Sequence, residues 1–129
     1  MRTIKFRGKD IEIDEWIYGD LIQRIGYTPS IMFHYESSGK ARYYEYPVKR
    51  ETVGQFTGLL DKNGSEIYEG DILDFNGLNI EVRFVRGVFA LLCNGNLDEE
   101  LCGDCRTDLF AKIIGNIHDN PELLGKEDT

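Results

Sequence analysis

The sequence predicts a mainly β protein, or an α+β protein with little helix, built as a small antiparallel β-barrel or sandwich. Three observations lead to this class. Apolar and aromatic residues fall in runs of about five to seven, turn-forming pairs recur about every ten residues, and no βαβ rhythm of a dinucleotide-binding sheet is present. We predict one domain over residues 1–129, with a β-rich N-terminal region at 1–54 and a barrel-like region at 55–125.

The N-terminal region contains four β-like runs. The second of them predicts either one bent strand or two strands with a bulge at Gly19. Pro47 in the fourth run favours an edge strand, because proline cannot donate a ladder hydrogen bond. A turn at residues 36–40 separates the last two runs. The four runs are residues 3–7, 15–25, 30–35 and 43–48.

The C-terminal region predicts strands joined by glycine turns. Asn63-Gly64 and Asn76-Gly77 are strong hairpin signals, because both residue types tolerate positive φ. The polar segment 94–109 predicts one short helix with Asn96 as its N-cap. Asn120-Pro121 predicts a helical turn that ends at Gly125. The strands are residues 53–60, 72–75, 80–85, 88–92 and 113–117.

The chain is acidic, with 15 basic and 23 acidic residues and a net charge of −8. This charge disfavours binding to nucleic acid and to anionic membranes. Nine basic and seven acidic residues give the first fifty positions +2, which leaves −10 for the rest. No apolar run reaches the ~20 residues of a membrane span, and MRTIKFRGKD lacks a signal-peptide core. We expect a cytoplasmic protein with reduced thiols.

The stretch QFTGLLDKNGSEIYEGDIL, residues 55–73, spaces Asp61, Asn63 and Ser65 like the first ligands of a calcium loop. The sixth position of such a loop is glycine and the twelfth is glutamate, whereas this chain has Glu66 and Ile72. The stretch therefore predicts a turn and not a calcium site. No base or nucleophile at a useful spacing accompanies its carboxylates, so we predict no catalytic site. We expect the carboxylate of Asp71 to accept backbone N–H bonds.

Three thiols are the weak candidates for a metal site. Cys102 and Cys105 form a CxxC pair, and Cys93 with His118 offers further ligands. A structural zinc site usually combines two such pairs, and the second pair is missing. Acidic neighbours raise the pKa of a thiol and so disfavour redox catalysis. We predict no metal, no cofactor and no enzymatic activity.

An aromatic and basic patch is the candidate interaction surface. Stacking rings with cations are typical of single-strand nucleic-acid binders, but alternating tyrosines are also ordinary strand residues. In a chain of this charge we favour the second interpretation. The patch consists of Arg42, Tyr43, Tyr44, Tyr46, Lys49 and Arg50.

Three segments together resemble the YopX family of phage and prophage proteins: KFRGKD, QFTGLLDKNGSEIYEGDIL and IIGNIHDNPELL. The resemblance covers nearly the whole chain. It implies a mostly β fold with a barrel-like C-terminal half closed by the IIGNI strand, a phage or prophage gene, and self-association. It carries no known activity and no catalytic residue.

Three functional hypotheses follow. The first is a non-enzymatic phage accessory module that binds a protein partner, such as a host factor, or copies of itself. The second is a nucleic-acid-binding module that uses the basic, tyrosine-rich N-terminal half. The third is a hydrolase or metal-dependent enzyme that uses the acidic cluster or the thiols. We favour the first.

Overall fold

A computed structural model describes residues 2–93, 96–100 and 106–125, with the backbone alone for 96–100. The chain divides into two compact units, Met1–Phe56 and Thr57–Thr129. The sequence-based subdivision had placed this boundary after residue 54. Antiparallel strands make up most of the described chain, which confirms the mainly β class.

The first unit is an antiparallel sheet of five strands: β1 (Phe6–Lys9), β2 (Trp16–Ile22), β3 (Ser30–Ser37), β4 (Lys40–Pro47) and the start of β5 (Gly54–Leu60). Their spatial order is β4-β3-β2-β1-β5. A short 3-10 turn, Arg50–Thr52, leads into β5. Among the described strands β4 therefore lies at an edge, as Pro47 had indicated.

The strand β2 changes its partner at Gly19. Residues 16–19 pair with β1, whereas residues 20–22 pair with β3. β2 is continuous across this switch, so the single-strand interpretation of residues 15–25 is confirmed and the two-strand one is wrong. A side chain at Gly19 would run directly into the backbone carbonyl of Met32, which explains why this position has none.

The β3–β4 hairpin has a two-residue turn, Ser38-Gly39, and both residues have positive φ (54° and 75°). Such a turn matches the right-handed twist of the two strands. Eight consecutive pairs follow without a bulge, from Ser37 opposite Lys40 to Ser30 opposite Pro47. The predicted strand and turn are present here, but the turn is shorter than residues 36–40.

The second unit contains the end of β5 and the strand β6 (Glu66–Tyr68), which pair with each other, and a separate five-stranded sheet. The order of that sheet is β10-β9-β8-β7-β11. A single α-helical turn, α1 (Thr107–Phe110), precedes β11, and a 3-10 turn, Pro121–Leu124, follows it. The remaining strands are β7 (Asp71–Phe75), β8 (Leu78–Val85), β9 (Val88–Cys93), β10 (Asn96–Glu100) and β11 (Ala111–Asn116).

One apolar cluster forms the core of the second unit. Ile67 from β6 packs against side chains of the five-stranded sheet. The β6 strand and this sheet therefore enclose the core as two layers, as in a sandwich. The buried members are Ile67, Leu73, Ile80, Val82, Leu91 and Ala111, all at most 2% exposed. The described strands form open sheets and not a closed barrel, because β11 lies at a sheet edge and pairs with β7.

Two local predictions fail in this unit. Residues 96–100 form β10, paired with β9, and not a helix capped by Asn96. Asn120 does not cap the final turn with its side chain. Its Oδ1 accepts the N–H of Asn116 at 3.2 Å instead. Pro121 does begin the turn, and Gly125 ends it with φ 68°.

We expect Gly19→Ala to lower the free energy of unfolding of the first unit by about 3 kcal/mol. The added methyl meets a fixed backbone carbonyl, so the strands must shift apart at the partner switch. Trp16 is the one tryptophan of the chain, and its fluorescence during urea unfolding reports on this unit. Gln23→Ala, at an exposed position just beyond β2, serves as the control and should change stability by no more than about 0.5 kcal/mol.

Candidate interaction surface

The β3–β4 hairpin displays a row of exposed aromatic rings. Phe33 and Tyr35 alternate along β3, and Tyr44 lies opposite Phe33 on β4, so all three project from one face. Their ring centroids are 5.8 Å apart for Phe33 and Tyr35, and 6.0 Å apart for Tyr35 and Tyr44, whose planes are nearly parallel at 13°. Each side chain is 41–43% exposed. We call Phe33, Tyr35 and Tyr44 the aromatic row.

Tyr35 and Tyr44 are neighbours within the row, and the nearby side chain of Tyr44 raises the pKa of the Tyr35 hydroxyl above its usual value. The opposite face of the hairpin carries a second ring pair, His34 and Tyr43, at 6.0 Å. Tyr43 is 65% exposed. Both faces of this hairpin therefore present aromatic surface.

The structure separates the six residues of the predicted patch. Arg42, Tyr44 and Tyr46 alternate along β4 and share the face of the aromatic row, whereas Tyr43 projects from the opposite face. Lys49 and Arg50 follow the strand, where the 3-10 turn begins. Three of the six residues are thus brought together, joined by Phe33 and Tyr35 from the neighbouring strand.

Several cations beside the hairpin already have anionic partners. Arg24 makes a bidentate bond to Glu45, at 2.6 and 3.0 Å, which lowers the pKa of Glu45. Lys49 bonds the carboxylate of Asp14 at 2.6 Å and lowers the pKa of Asp14. These ion pairs reduce the positive charge that the region offers to a polyanion.

An apolar groove of about 290 Å³ adjoins the hairpin in the first unit. Trp16 and Ile17 from β2 line it, together with Phe33 and Tyr46. The guanidinium of Arg7 lies 4.5 Å from the centre of the Trp16 ring, within the range of a cation–π contact. The groove extends the apolar surface of the aromatic row toward β2.

Sequence reasoning missed Phe33 and Tyr35 as members of this surface. The signal was available: SIMFHY and ARYYEY are both rich in alternating aromatic residues, and a Ser-Gly pair lies between them. Pairing the two segments through a two-residue turn would have placed these rings beside Tyr44.

Asp61, the first residue of the calcium-like pattern, binds three backbone N–H groups of the second unit. Its Oδ1 accepts the N–H groups of Asn63 and Ser65, both at 2.9 Å, and its Oδ2 accepts that of Ile113 at 3.0 Å. The carboxylate thus shapes its own loop and joins that loop to β11. Asn63 does not have positive φ, so this loop differs from the tight turn expected for Asn-Gly, although Gly64 does, at 82°.

The pKa of Asp61 lies below its usual value. Burial raises it, but the backbone N–H bonds from Ile113, Ser65 and Asn63 and the charge of Lys112 together outweigh burial. Asp61 is therefore ionised at neutral pH and holds its three N–H groups with charge-assisted bonds.

Two further acidic side chains of the stretch, those of Asp71 and Glu66, also bond to residues close to them in the chain. Asp71 is buried and accepts the N–H of Tyr68 at 2.7 Å, which confirms the role expected for it. Glu66 accepts the hydroxyl of Tyr68 at 3.1 Å. Gly70 has φ 94°, and its N–H donates to Val82. His118 follows β11, where its backbone N–H donates to the side chain of Asn116.

Of the candidate metal ligands, Cys93 and His118 lie within the described residues, and Cys102 and Cys105 lie outside them. Cys93 is a half-buried free thiol at the end of β9, packed against the core of the second unit. In the part of the chain that the structure describes, no cluster of three or more His, Cys, Asp or Glu side chains could hold a metal ion. No described helix is long and apolar enough to cross a membrane.

These features define the class: a two-unit, mainly antiparallel β protein whose first unit presents an exposed aromatic hairpin. The family model described as YopX protein matches residues 5–125, and the chain belongs to the YopX family. It is similar to the crystal structure of protein EF1440 from Enterococcus faecalis, with 27% identity and a TM-score of 0.67. That match covers 96% of this chain and 99% of the other. No curated protein matches.

We expect Asp61→Asn to destabilise the second unit by about 1–3 kcal/mol at pH 7. One oxygen becomes an amide NH₂, so a buried N–H such as that of Ile113 loses its acceptor. Urea unfolding followed by circular dichroism measures the difference. Glu122→Gln makes the same chemical change at an exposed carboxylate and should alter stability by less than about 0.5 kcal/mol.

The effect of Asp61→Asn should depend on pH with a defined sign. Because folding lowers the pKa of Asp61, its contribution is present above the ordinary pKa of 3.8 and is lost as pH falls through the lower folded value. The difference in free energy of unfolding between the original protein and the variant should therefore become smaller as the pH falls below 3.8. A gap that widens in acid would contradict this assignment.

Proposed function

We propose that this protein is a non-enzymatic accessory module that binds a protein partner, or another copy of itself, through the β3–β4 hairpin. The observation that carries the proposal is the aromatic row, three adjacent rings exposed by about two-fifths each on a regular hairpin. Tyrosine is enriched at protein interfaces, because a ring buries a large area while ordering few rotatable bonds.

The position of these rings favours a protein partner. Phe33, Tyr35 and Tyr44 are prepacked against one another, so binding orders little that is not already held. The apolar groove beside Phe33 and Tyr46 adds a concave surface for an anchoring side chain. Exposed apolar patches of this kind mark interaction sites in soluble domains.

The non-enzymatic part of the proposal draws support from the acidic stretch. The carboxylates of Asp61 and Asp71 are committed to backbone N–H groups within their own turns. Such carboxylates shape loops, and the lowered pKa of Asp61 makes that carboxylate a weak base. We further propose that the gene belongs to a phage or prophage, that the partner is a host factor and that the protein acts in the bacterial cytoplasm. These parts of the proposal rest on the family resemblance.

The test is affinity capture from a lysate of the bacterium that carries the gene, followed by binding measurements with each purified captured protein. Tyr35→Thr with Tyr44→Thr removes most of the aromatic row while keeping strand propensity. We expect affinity for a true partner to fall at least about thirtyfold, as for a hot-spot pair. Phe84→Thr, at an exposed ring on β8 in the second unit, is the matched control and should bind like the original protein.

A nucleic-acid-binding module is the second candidate. Arg42 projects from the same face as the aromatic row, and stacked rings beside a cation suit single-stranded bases. Fluorescence anisotropy with single-stranded and duplex oligonucleotides at about 50 mM salt tests it. Because Arg24 and Lys49 are paired with carboxylates and the net charge is −8, we expect no binding. Saturable binding lost in Arg42→Ser would favour this candidate instead.

A further inference from the structure

The free edge of β4 carries a regular set of outward backbone groups. The strand is at the edge of its sheet among the described strands, and Lys40 through Glu45 are exposed. Because the turn has two residues, the flanking pair Ser37 and Lys40 is hydrogen-bonded, and bonded pairs then alternate along the ladder. Lys40, Arg42, Tyr44 and Tyr46 therefore bond inward to β3, and the residues between them point outward.

The outward set is Ala41, Tyr43, Glu45 and Pro47. Pro47 has no N–H, and its carbonyl already accepts the N–H of Ile11 at 3.1 Å. Ala41, Tyr43 and Glu45 remain, each with one donor and one acceptor directed away from the sheet. Such an edge can extend its ladder by adding one antiparallel strand.

A second copy of β4 fits this edge in one register. Twofold symmetry requires that the two strands cross about a single central residue, and hydrogen bonding requires outward residues to face outward residues. Centring the pair on Tyr43 sets Tyr43 opposite itself and Ala41 opposite Glu45. All outward groups of the three residues then find partners.

The placement of the charged side chains favours the same register. Lys40 falls opposite Tyr46 of the second copy, and Arg42 falls opposite Tyr44, so each cation meets a ring and not another cation. The carboxylate of Glu45 needs no new partner, because Arg24 of its own copy already binds it.

Neighbouring registers are less favourable. Centring on Arg42 sets two guanidinium groups opposite each other, centring on Glu45 does the same for two carboxylates, and centring on Ala41 sets Lys40 opposite Arg42. Centring on Tyr44 avoids like charges, but it sets Ala41 opposite Pro47, whose backbone groups cannot complete the ladder. Edge charges usually deter strand pairing, whereas in the Tyr43 register no like charges face each other.

We propose that two copies of this protein associate through antiparallel pairing of their β4 strands centred on Tyr43, which joins the two first-unit sheets across a twofold axis. This inference rests on the proposed function as an interaction module and names a second copy as the partner at the β3–β4 hairpin.

Analytical ultracentrifugation of the full chain from about 1 to about 200 µM tests the association. We expect a concentration-dependent species of twice the 14.8 kDa chain mass. Tyr43→Pro removes an outward N–H that β3 does not use, so the hairpin tolerates it, and self-association should weaken at least about tenfold. Tyr43→Thr keeps this N–H and serves as the matched control, with a loss of no more than about threefold.

Cross-linking tests the register independently of those variants. In a background with Cys93, Cys102 and Cys105 changed to serine, Tyr43→Cys should form an intermolecular disulfide under mild oxidation, since facing Cα atoms are about 5.5 Å apart. Ala41→Cys alone should not cross-link, because Ala41 of each copy lies opposite Glu45 of the other copy and away from the second Ala41. A mixture of Ala41→Cys and Glu45→Cys chains should cross-link.

A chain that stays monomeric throughout the concentration range would overturn the proposal. A dimer that survives Tyr43→Pro, or one in which Ala41→Cys cross-links and Tyr43→Cys does not, would overturn it as well. These results leave the proposed function testable by itself, because a purified partner that binds through Tyr35 and Tyr44 supports the module without self-pairing.

Discussion

The hydrogen-bonding register of the β3–β4 hairpin determines what the first unit presents to other molecules. A two-residue turn at Ser38-Gly39 sets eight uninterrupted pairs, and these place Phe33 and Tyr35 beside Tyr44 on one face. The same register decides which backbone groups of β4 point away from the sheet. A shift by one residue would exchange the faces and turn the outward groups inward. The exposed rings and the free edge are therefore two consequences of one local constraint.

In the second unit, the equivalent constraint is the need to satisfy buried backbone N–H groups where strands meet turns. The carboxylate of Asp61 serves its own loop and β11, and that of Asp71 serves the turn between β6 and β7. Both are nearly inaccessible to solvent. The calcium-like spacing of Asp61, Asn63 and Ser65 is thus explained by backbone N–H groups that the fold must pair. The patterned stretch of the sequence maintains the structure of its own turns, and the exposed aromatic row lies in the first unit.

Predictions succeeded where the decisive interaction is local. Asn76-Gly77 predicted a hairpin, and both residues have positive φ (54° and 88°) between β7 and β8, because the turn needs only its own two residues. They failed where a residue bonds to a neighbouring segment instead of capping a helical turn. The pattern around Asn96 favours a capped helix, but β9 offers an open edge and residues 96–100 pair with it. Asn120 likewise bonds Asn116 across the bend instead of capping the turn that follows it.

The sequence by itself determined the mainly antiparallel β class, the strand and turn order apart from β10, the edge position of Pro47 and the family. The class, the order and the edge position follow from residue alternation, from glycine at positions of positive φ and from the missing N–H of proline, whereas the family follows from the resemblance of three segments. Only the tertiary structure decided the partner switch of β2 at Gly19, the open form of the sheets and the hydrogen bond from Ile113 to Asp61. Each of these depends on contacts between residues far apart in the chain, and no local pattern specifies which segments will meet.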